Sequence, residues 1–252
     1  MYKDLEARLH DLFWKNEPDA DESPLLEKFL KKHPGKALEL GCGSGRLLLP
    51  LLKKGFDIDG VEISADMVNL LQHEAQKRKL SPQVYLSDIS HFQTTEKYDA
   101  LAIPAFTLQL FPREKVLQTL VKLRQLARQE AGIYITVFIP WSEILDELEP
   151  GVWHPDKEAT LPDGTIARCK TRHHIDRTSQ TLSRDHHYTV SDKSNATLEE
   201  QHVHQDLEWY LLPELKLMLH QSGWNFSAYD ADFSIGNNDS DASLLTLYAS
   251  AV

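Results

Sequence analysis

The run Glu39-Leu40-Gly41-Cys42-Gly43-Ser44-Gly45 sets three alternating glycines behind a short apolar stretch, Lys36 to Leu40. Glycine lets backbone adopt positive φ and lie close against a ligand. A helix opening directly after such a loop offers unpaired N–H groups to an acceptor. Roughly 20 residues further on, the spacing of a ribose-binding acid, Glu62 closes a second apolar stretch. A carboxylate there can accept two hydrogen bonds from a ribose diol. Together these residues fit an adenosine ligand. Arg46 stands where a dinucleotide-binding loop needs its third glycine. Glu39 would repel a pyrophosphate and suits a ligand carrying an ammonium group.

The second chemical concentration is histidine. Six of the 12 histidines, His173, His174, His186, His187, His202 and His204, fall in one stretch. His202 and His204 are two apart and share one face of a strand. Such a pair can bind zinc. The wet face of an antiparallel sheet explains the same pattern, and no metal is expected. The two cysteines, Cys42 and Cys169, are too few for a disulfide framework and point to a reducing compartment. Cys42 reads as a small packed residue rather than a nucleophile.

A formal charge of -11 repels phosphate backbones, so no nucleic-acid partner is expected. The apolar runs fall short of the roughly 20 residues that cross a bilayer. The charged N-terminus lacks an apolar signal core. The expectation is a cytoplasmic protein with no membrane partner.

The elements that must hold these residues follow from periodicity. Tyr2 to Trp14 and Ser23 to Lys32 read as helices, the second with Ser23 as N-cap before Pro24. Residues 16–22 between them read as an acidic loop. From Lys36 onward strands and helices alternate. Strands are expected at Lys36 to Leu40, Phe56 to Glu62, Gln83 to Leu86, Tyr98 to Ile103 and Gly132 to Ile139. Helices are expected at Ser44 to Lys54, at Ser64 to Lys79 with Ser64 as cap, and at Pro112 to Gln129. This alternation implies parallel strands with right-handed crossovers. Unbroken apolar strands fit a sheet covered on both faces.

The pattern breaks after Pro140. Glu143 to Glu149 reads as a helical turn or two, and Gly151 to Pro162 as a loop carrying Trp153 and His154. Thr165 to Ile175, Thr181 to Val190 and Leu198 to Trp209 read as strands joined by short polar turns, hence antiparallel. A helix at Leu212 to Ser222 and strands at Trp224 to Tyr229 and Ser243 to Ala249 complete the core. The fold class is α/β: a doubly wound, mostly parallel seven-stranded Rossmann-like sheet, with an antiparallel β unit inserted after the fifth strand. Residues 1–35 form N-terminal helices capping the substrate side, and 36–140 the ligand-binding core. Residues 141–209 form the inserted lid, and 210–252 complete the sheet.

Ala37-Leu38-Glu39-Leu40-Gly41-Cys42-Gly43-Ser44-Gly45-Arg46-Leu47 resembles the first motif of class I S-adenosylmethionine-dependent methyltransferases. Gly60-Val61-Glu62-Ile63-Ser64-Ala65-Asp66-Met67 resembles the family's second-strand motif, and Ser87-Asp88-Ile89 its third. Tyr98-Asp99-Ala100-Leu101-Ala102-Ile103-Pro104-Ala105-Phe106 resembles its fourth. The resemblance covers about Leu25 to Phe138 and the closing elements. It implies S-adenosyl-L-methionine as cofactor and a small-molecule acceptor. Glu39 would then lie near the ligand's amino group, with Gly41, Cys42 and Gly43 beneath it. Glu62 and Ile63 would meet the ribose and adenine, and Met67 would pack on adenine. Asp88 would accept from the adenine amino group with Ile89 beside it. Pro104 would line the methyl-transfer site.

No Asn-Pro-Pro-Tyr run follows the fourth strand, which reads Ile103-Pro104-Ala105-Phe106. That argues against amine methylation of nucleic-acid bases. Insertions after the fifth strand in small-molecule methyltransferases cover the acceptor and often mediate dimers, so a homodimer through the inserted sheet is an expectation. Trp14, Phe106, Gln109 and Trp153 are candidate acceptor contacts, and His154 and Tyr210 candidate catalytic groups. The competing readings are an NAD(P)-dependent oxidoreductase, which Arg46 disfavours, a non-catalytic module that binds the ligand, and a protein or RNA methyltransferase.

Overall fold

The computed structural model describes residues 2–15 and 21–252. Two compact units divide the chain: Ala20–Ile139 with Tyr210–Val252, and Tyr2–Asp19 with Pro140–Trp209.

The first unit is built on a seven-stranded sheet. Its strands are β1 (Lys36–Leu40), β2 (Asp57–Glu62), β3 (Val84–Leu86), β4 (Tyr98–Ile103), β5 (Ala127–Phe138), β10 (Trp224–Ala231) and β11 (Leu244–Ala251). Their order is β10-β11-β5-β4-β1-β2-β3. β1 pairs in parallel with both β2 and β4, and β2–β3 and β4–β5 are parallel too. β11 runs antiparallel to β5 and to β10. The winding reverses between β1 and β4, so the loops after these strands frame the crevice where ligands bind in such sheets.

Apolar burial explains the helices of this unit. The helix α2 (Ser23–Lys32) sends Leu25, Leu26, Phe29 and Leu30 into the core with Leu48, Leu49, Ile58, Leu71 and Tyr134. Each such side chain is worth about 1.5–3 kcal/mol relative to exposure. The helix α4 (Ala65–Arg78) is capped as its sequence predicts: Ser64 Oγ accepts the Met67 N–H at 3.2 Å. The helix α7 (Leu212–Gln221) buries Leu215 and Leu219.

Several boundaries depart from expectation. The cap of α2 is Glu22, not Ser23, which is itself the first helical residue. Asp21 takes the Ser23 N–H, while the Glu22 side chain turns inward to partners described below. Of the acidic loop predicted at 16–22, residues 16–20 lie outside the described residues. The helix α3 spans only Leu48–Lys53, because Gly41, Gly43 and Gly45 all take positive φ and the chain turns through Leu47 before it can coil. The helix α5 (Arg113–Leu126) stops three residues early: Ala127 leaves it to pair with Tyr98, and strand pairing overrides the helix-forming residues that follow.

The second unit pairs the helix α1 (Asp4–Trp14) and the short α6 (Trp141–Ile144) with a four-stranded antiparallel sheet. Its strands are β6 (His154–Thr160), β7 (Ile166–Asp176), β8 (Thr181–Ser191) and β9 (Thr197–Glu208), in that order across the sheet. The segment read as a loop from Gly151 to Pro162 therefore contains a strand. Its polar sequence hid it, because it is an edge strand whose ladder to β7 comes from the partner and is broken by a bulge between Pro155 and Lys157. Leu5, Leu9 and Phe13 of α1 join Ala159, Ala167, Cys169, Tyr188 and Val190 in a separate core. The two N-terminal helices thus part company, contrary to their grouping as one cap: each follows the sheet that buries its apolar face.

Candidate active site

The ends of β4, β1, β2 and β3 lie side by side and bring Pro104, Glu39, Glu62 and Asp88 to one edge of the first unit. The glycine loop after β1 is fixed to β2. The Gly41 and Cys42 N–H groups both donate to the Val61 carbonyl, at 2.8 and 3.2 Å. A Cβ on Gly41 would lie 2.6 Å from Thr107 Cγ2, and φ there is +69°, so only glycine fits. Cys42 packs against Gly60, whose added Cβ would meet Sγ at 2.6 Å. Burial first, and the charges of Glu39 and Glu62 next, push its thiol far above the usual range, which keeps it an inert packed residue.

Glu62 is buried and grips the loop and its own turn. Its Oε2 accepts the Gly43 N–H at 2.9 Å and its Oε1 the Ser64 N–H at 2.8 Å. Each oxygen keeps a further lone pair for a ligand hydroxyl. Beside it Ile63 is 48% exposed, an apolar side chain held out at the end of β2. Met67 is 1% exposed and lies behind the loop, its Cε 3.4 Å from where a Gly43 Cβ would be. Of the two apolar candidates here, Ile63 offers a surface and Met67 is core. Asp88 is half-buried and caps its turn: its Oδ1 accepts from the Ser90 N–H and hydroxyl, both at 2.7 Å, which holds its carboxyl below the usual range. Ile89 is buried beneath it.

Glu39 is the most unusual group. It is 2% exposed, and its Oε2 has no hydrogen-bond partner. Burial, and then the neighbouring Glu22 charge, push its carboxyl up to about 8; Arg46 opposes this and Glu62 adds to it. A buried carboxyl in such surroundings is protonated at neutral pH.

The second of these causes is a residue that the sequence did not single out. Glu22 is wholly buried and accepts from three groups: the Ala105 N–H at 3.0 Å, the Tyr134 hydroxyl at 3.1 Å and Arg46 Nη2 at 3.4 Å. It ties the start of α2 to the loops after β1 and β4 and to β5. Arg46, read from sequence only as a missing glycine, is its counter-ion. Glu22 and Tyr134 are 112 residues apart, and no local pattern announces the pairing.

After β4 the chain takes two left-handed residues, Ala105 and Phe106, at φ +50° and +62°. Strained backbone of this kind clusters at ligand sites. Phe106 is half-buried, edge-on to Phe138 at 5.3 Å and stacked near Phe233 at 6.2 Å. Pro104 is buried, and its carbonyl accepts the Thr107 N–H. Gln109 is not available to an acceptor. It is fully buried and its amide clasps Phe138, with Nε2 donating to the carbonyl at 3.0 Å and Oε1 accepting the N–H at 2.7 Å. Tyr210 is likewise fully buried, with the Arg113 guanidinium 4.6 Å over its ring, and this packing removes it as a surface for chemistry.

The remaining candidates belong to the second unit. Trp14 is half-buried with its ring 6.2 Å from His10. Trp153 stands edge-on to His187 and His202, under the Arg172 guanidinium at 4.9 Å. His187 and His202 face each other across β8 and β9 and stack at 4.1 Å, with His187 Nε2 3.2 Å from Glu200. His204 instead meets Asp185 and Asp206. His154 opens β6 and places Nε2 3.2 Å from the Glu149 carbonyl.

Residues 37–130 match the family described as "Methyltransferase domain". A protein of Geobacillus sp. (strain WCH70) named as a methyltransferase is 24% identical over 113 residues, 44% of this chain and 46% of the relative. The methyltransferase-named YqeM of Bacillus subtilis (strain 168) is 26% identical over 134 residues, 52% of this chain and 53% of the relative. The chain thus spans about half the length of the curated relatives it matches. Among solved structures, an S-adenosylmethionine-dependent methyltransferase from Clostridium acetobutylicum superposes with a TM-score of 0.80 at 13% identity, covering 97% of each chain. CalS10, an amino pentose methyltransferase from Micromonospora echinaspora solved with S-adenosylmethionine bound, gives 0.73 at 14% identity over 100% of each chain. The sugar N-methyltransferase KedS8 from Streptoalloteichus gives 0.72 at 17%, covering 98% of this chain and 95% of that one. The Rossmann-like methyltransferase fold expected from the sequence is the fold observed.

Proposed function

With a methyltransferase domain at residues 37–130 as the premise, we propose that this chain is an S-adenosylmethionine-dependent methyltransferase acting on an amine-bearing small molecule. One observation carries the cofactor assignment. The buried Glu39 Oε2 lacks a partner beside a loop that only glycine can form, and an ammonium group is the species that completes it. Glu39 would hold that ammonium, Gly41 and Gly43 would pass beneath, and Glu62 would take the ribose diol. Ile63 would cover adenine, and Asp88 Oδ2 would accept from its amino group.

Bound S-adenosylmethionine supplies a methyl group on a positively charged sulfur, open to in-line attack. The chain's own contribution is to position both reactants and to exclude water. Pro104 and Phe106, on the left-handed turn after β4, are the residues of the first unit that would line the reacting space. An amine acceptor needs little acid–base help once neutral. If a base is needed, His154 is the candidate: an Nε2–H donating to the Glu149 carbonyl leaves Nδ1 as its basic nitrogen. Trp14 and Trp153 are the remaining candidate acceptor contacts. An amino sugar is the first acceptor class to try, because solved structures of like fold are named for amino pentose and sugar N-methylation.

We read the protein as cytoplasmic, which suits its two free cysteines, and as a homodimer paired through an outer edge of the antiparallel sheet, β6 or β9. Among the described residues no helix is long and apolar enough to cross a membrane.

Calorimetric titration with S-adenosylmethionine and with NAD tests the cofactor. Binding of NAD alone would sink the reading in favour of a nicotinamide-dependent oxidoreductase. Methyl transfer to a panel of amino sugars tests the acceptor, and light scattering on the eluting protein tests the dimer.

A further inference from the structure

Two carboxyl groups, Glu22 and Glu39, are both buried within the same site, and among the described residues Arg46 is the cation that acts on both. The groups facing Glu39 are Glu22 before α2, Arg46 after β1 and Glu62 at the end of β2. Those facing Glu22 are Arg46, the Tyr134 hydroxyl, the Ala105 N–H and Thr136. Two like charges in one desolvated space do not both ionise beside a single counter-ion. The hydrogen bonds decide which one does. Burial raises the Glu22 carboxyl too, but Glu22 accepts from three donors, including the guanidinium, and these oppose the rise and stabilise its anion. Glu39 leaves Oε2 unpartnered and so carries the proton.

We propose that Glu22 is a positioning residue of the cofactor site: its charge adds to burial in keeping Glu39 protonated in the ligand-free protein, and the ligand's ammonium group displaces that proton, so that binding releases one proton to solvent. The proposal rests on the assignment of the ammonium to Glu39 made above. The balance is simple. The O–H bond of the Glu39 carboxyl breaks, its proton leaves to buffer, and the carboxylate pairs with an ammonium that is already charged below about pH 7.5. The arrangement also sets specificity, since a ligand with the same adenosine but no ammonium has nothing to exchange for the proton.

The test is calorimetry of S-adenosylhomocysteine binding in buffers of low and high ionisation enthalpy, from pH 6 to 8.5. The wild type should release about one proton at pH 6.5, and fewer as the pH approaches 8, where Glu39 loses its proton unaided. Glu39→Gln should bind more weakly and release almost none. Glu22→Gln should move the midpoint of proton release at least one pH unit lower at an unchanged melting temperature, which separates loss of the Glu22 charge from looser burial of Glu39. Methylthioadenosine, which lacks the ammonium, should bind without release. Binding of S-adenosylhomocysteine with no proton released at pH 6.5, or with release undiminished in Glu39→Gln, overturns the proposal and leaves the cofactor assignment standing. Absence of binding to the wild type overturns both. An unshifted midpoint in a Glu22→Gln protein that melts as a folded protein removes Glu22 from the role.

Discussion

Glu62 spends both carboxylate oxygens on backbone N–H groups before any ligand arrives, one in the glycine loop and one in the turn that starts α4. Its removal therefore does two things: it leaves the Gly43 and Ser64 donors unpaired and it deletes the acceptor for a ribose diol. Hydrogen bonds to a charged group are worth about 1.5–3 kcal/mol each, so Glu62→Ala should weaken S-adenosylmethionine binding by roughly ten- to a hundredfold. Calorimetry would show it, and an unchanged affinity would remove Glu62 from the site. Gly41→Ala brings a Cβ within 2.6 Å of Thr107 Cγ2 at a positive φ. Its strain should cost about 1–3 kcal/mol of stability, read as a lower melting temperature, together with loss of cofactor affinity as the loop shifts. At this scale the chemistry-bearing letters were legible: the acid, the glycines and the second acid stand close in sequence. Glu22 was not, because its partners Ala105 and Tyr134 lie 83 and 112 residues away.

Elements hold these residues through contacts that periodicity does not encode. Gln109, expected at the acceptor, is a clasp between the 3-10 turn at Thr107–Leu110 and the end of β5. Gln109→Ala would strand a buried N–H and a carbonyl, each costing about 1–3 kcal/mol. It should lower the melting temperature by several degrees while leaving the KM for the acceptor nearly unchanged. A large rise in KM at unchanged stability would instead restore Gln109 to the substrate site. Residue preference placed the strands β1 and β4 to the residue and α4 with its cap, because burial on both faces writes unbroken apolar runs and Ser64 supplies its own hydrogen bond. It misplaced the ends of α3 and α5 and overlooked β6, where a glycine-bent loop, a pairing with Tyr98 and an edge ladder overrode local preference.

Across the whole molecule the buried acids link ionisation to folding. The Glu39 carboxyl lies near 8 in the folded chain and near 4.5 when exposed, so between those values the folded state binds more protons than the unfolded one. Stability from this group is thus present at low pH and lost as pH rises from about 5 to 8. Glu6 in the second unit, raised to about 7 chiefly by burial, acts in the same direction. Half-buried His33 and His186, lowered first by desolvation, act the opposite way. The clean measurement is therefore a difference. Relative to wild type, Glu39→Gln should gain in melting temperature as pH rises from 5 to 8, and S-adenosylmethionine should narrow that gap by pairing with the Glu39 anion. A difference that is flat with pH would show that Glu39 is already ionised in the free protein.

The alternation of apolar runs and glycine stops determined, from the chain alone, a doubly wound parallel sheet with an antiparallel insertion. The loop at Glu39 to Gly45, with Glu62, gave the ligand class proposed here, an adenosine bearing an ammonium group. Both are local signals: burial on two faces and tight turns constrain residues that are neighbours in sequence. Tertiary structure decided what ionisation state those residues have and which of them are free to act. It buried Glu22 where its charge acts on Glu39, placed Met67 and Tyr210 in the core and closed Gln109 onto β5. Desolvation and long-range pairing set those outcomes, and both depend on which distant segments the fold brings together.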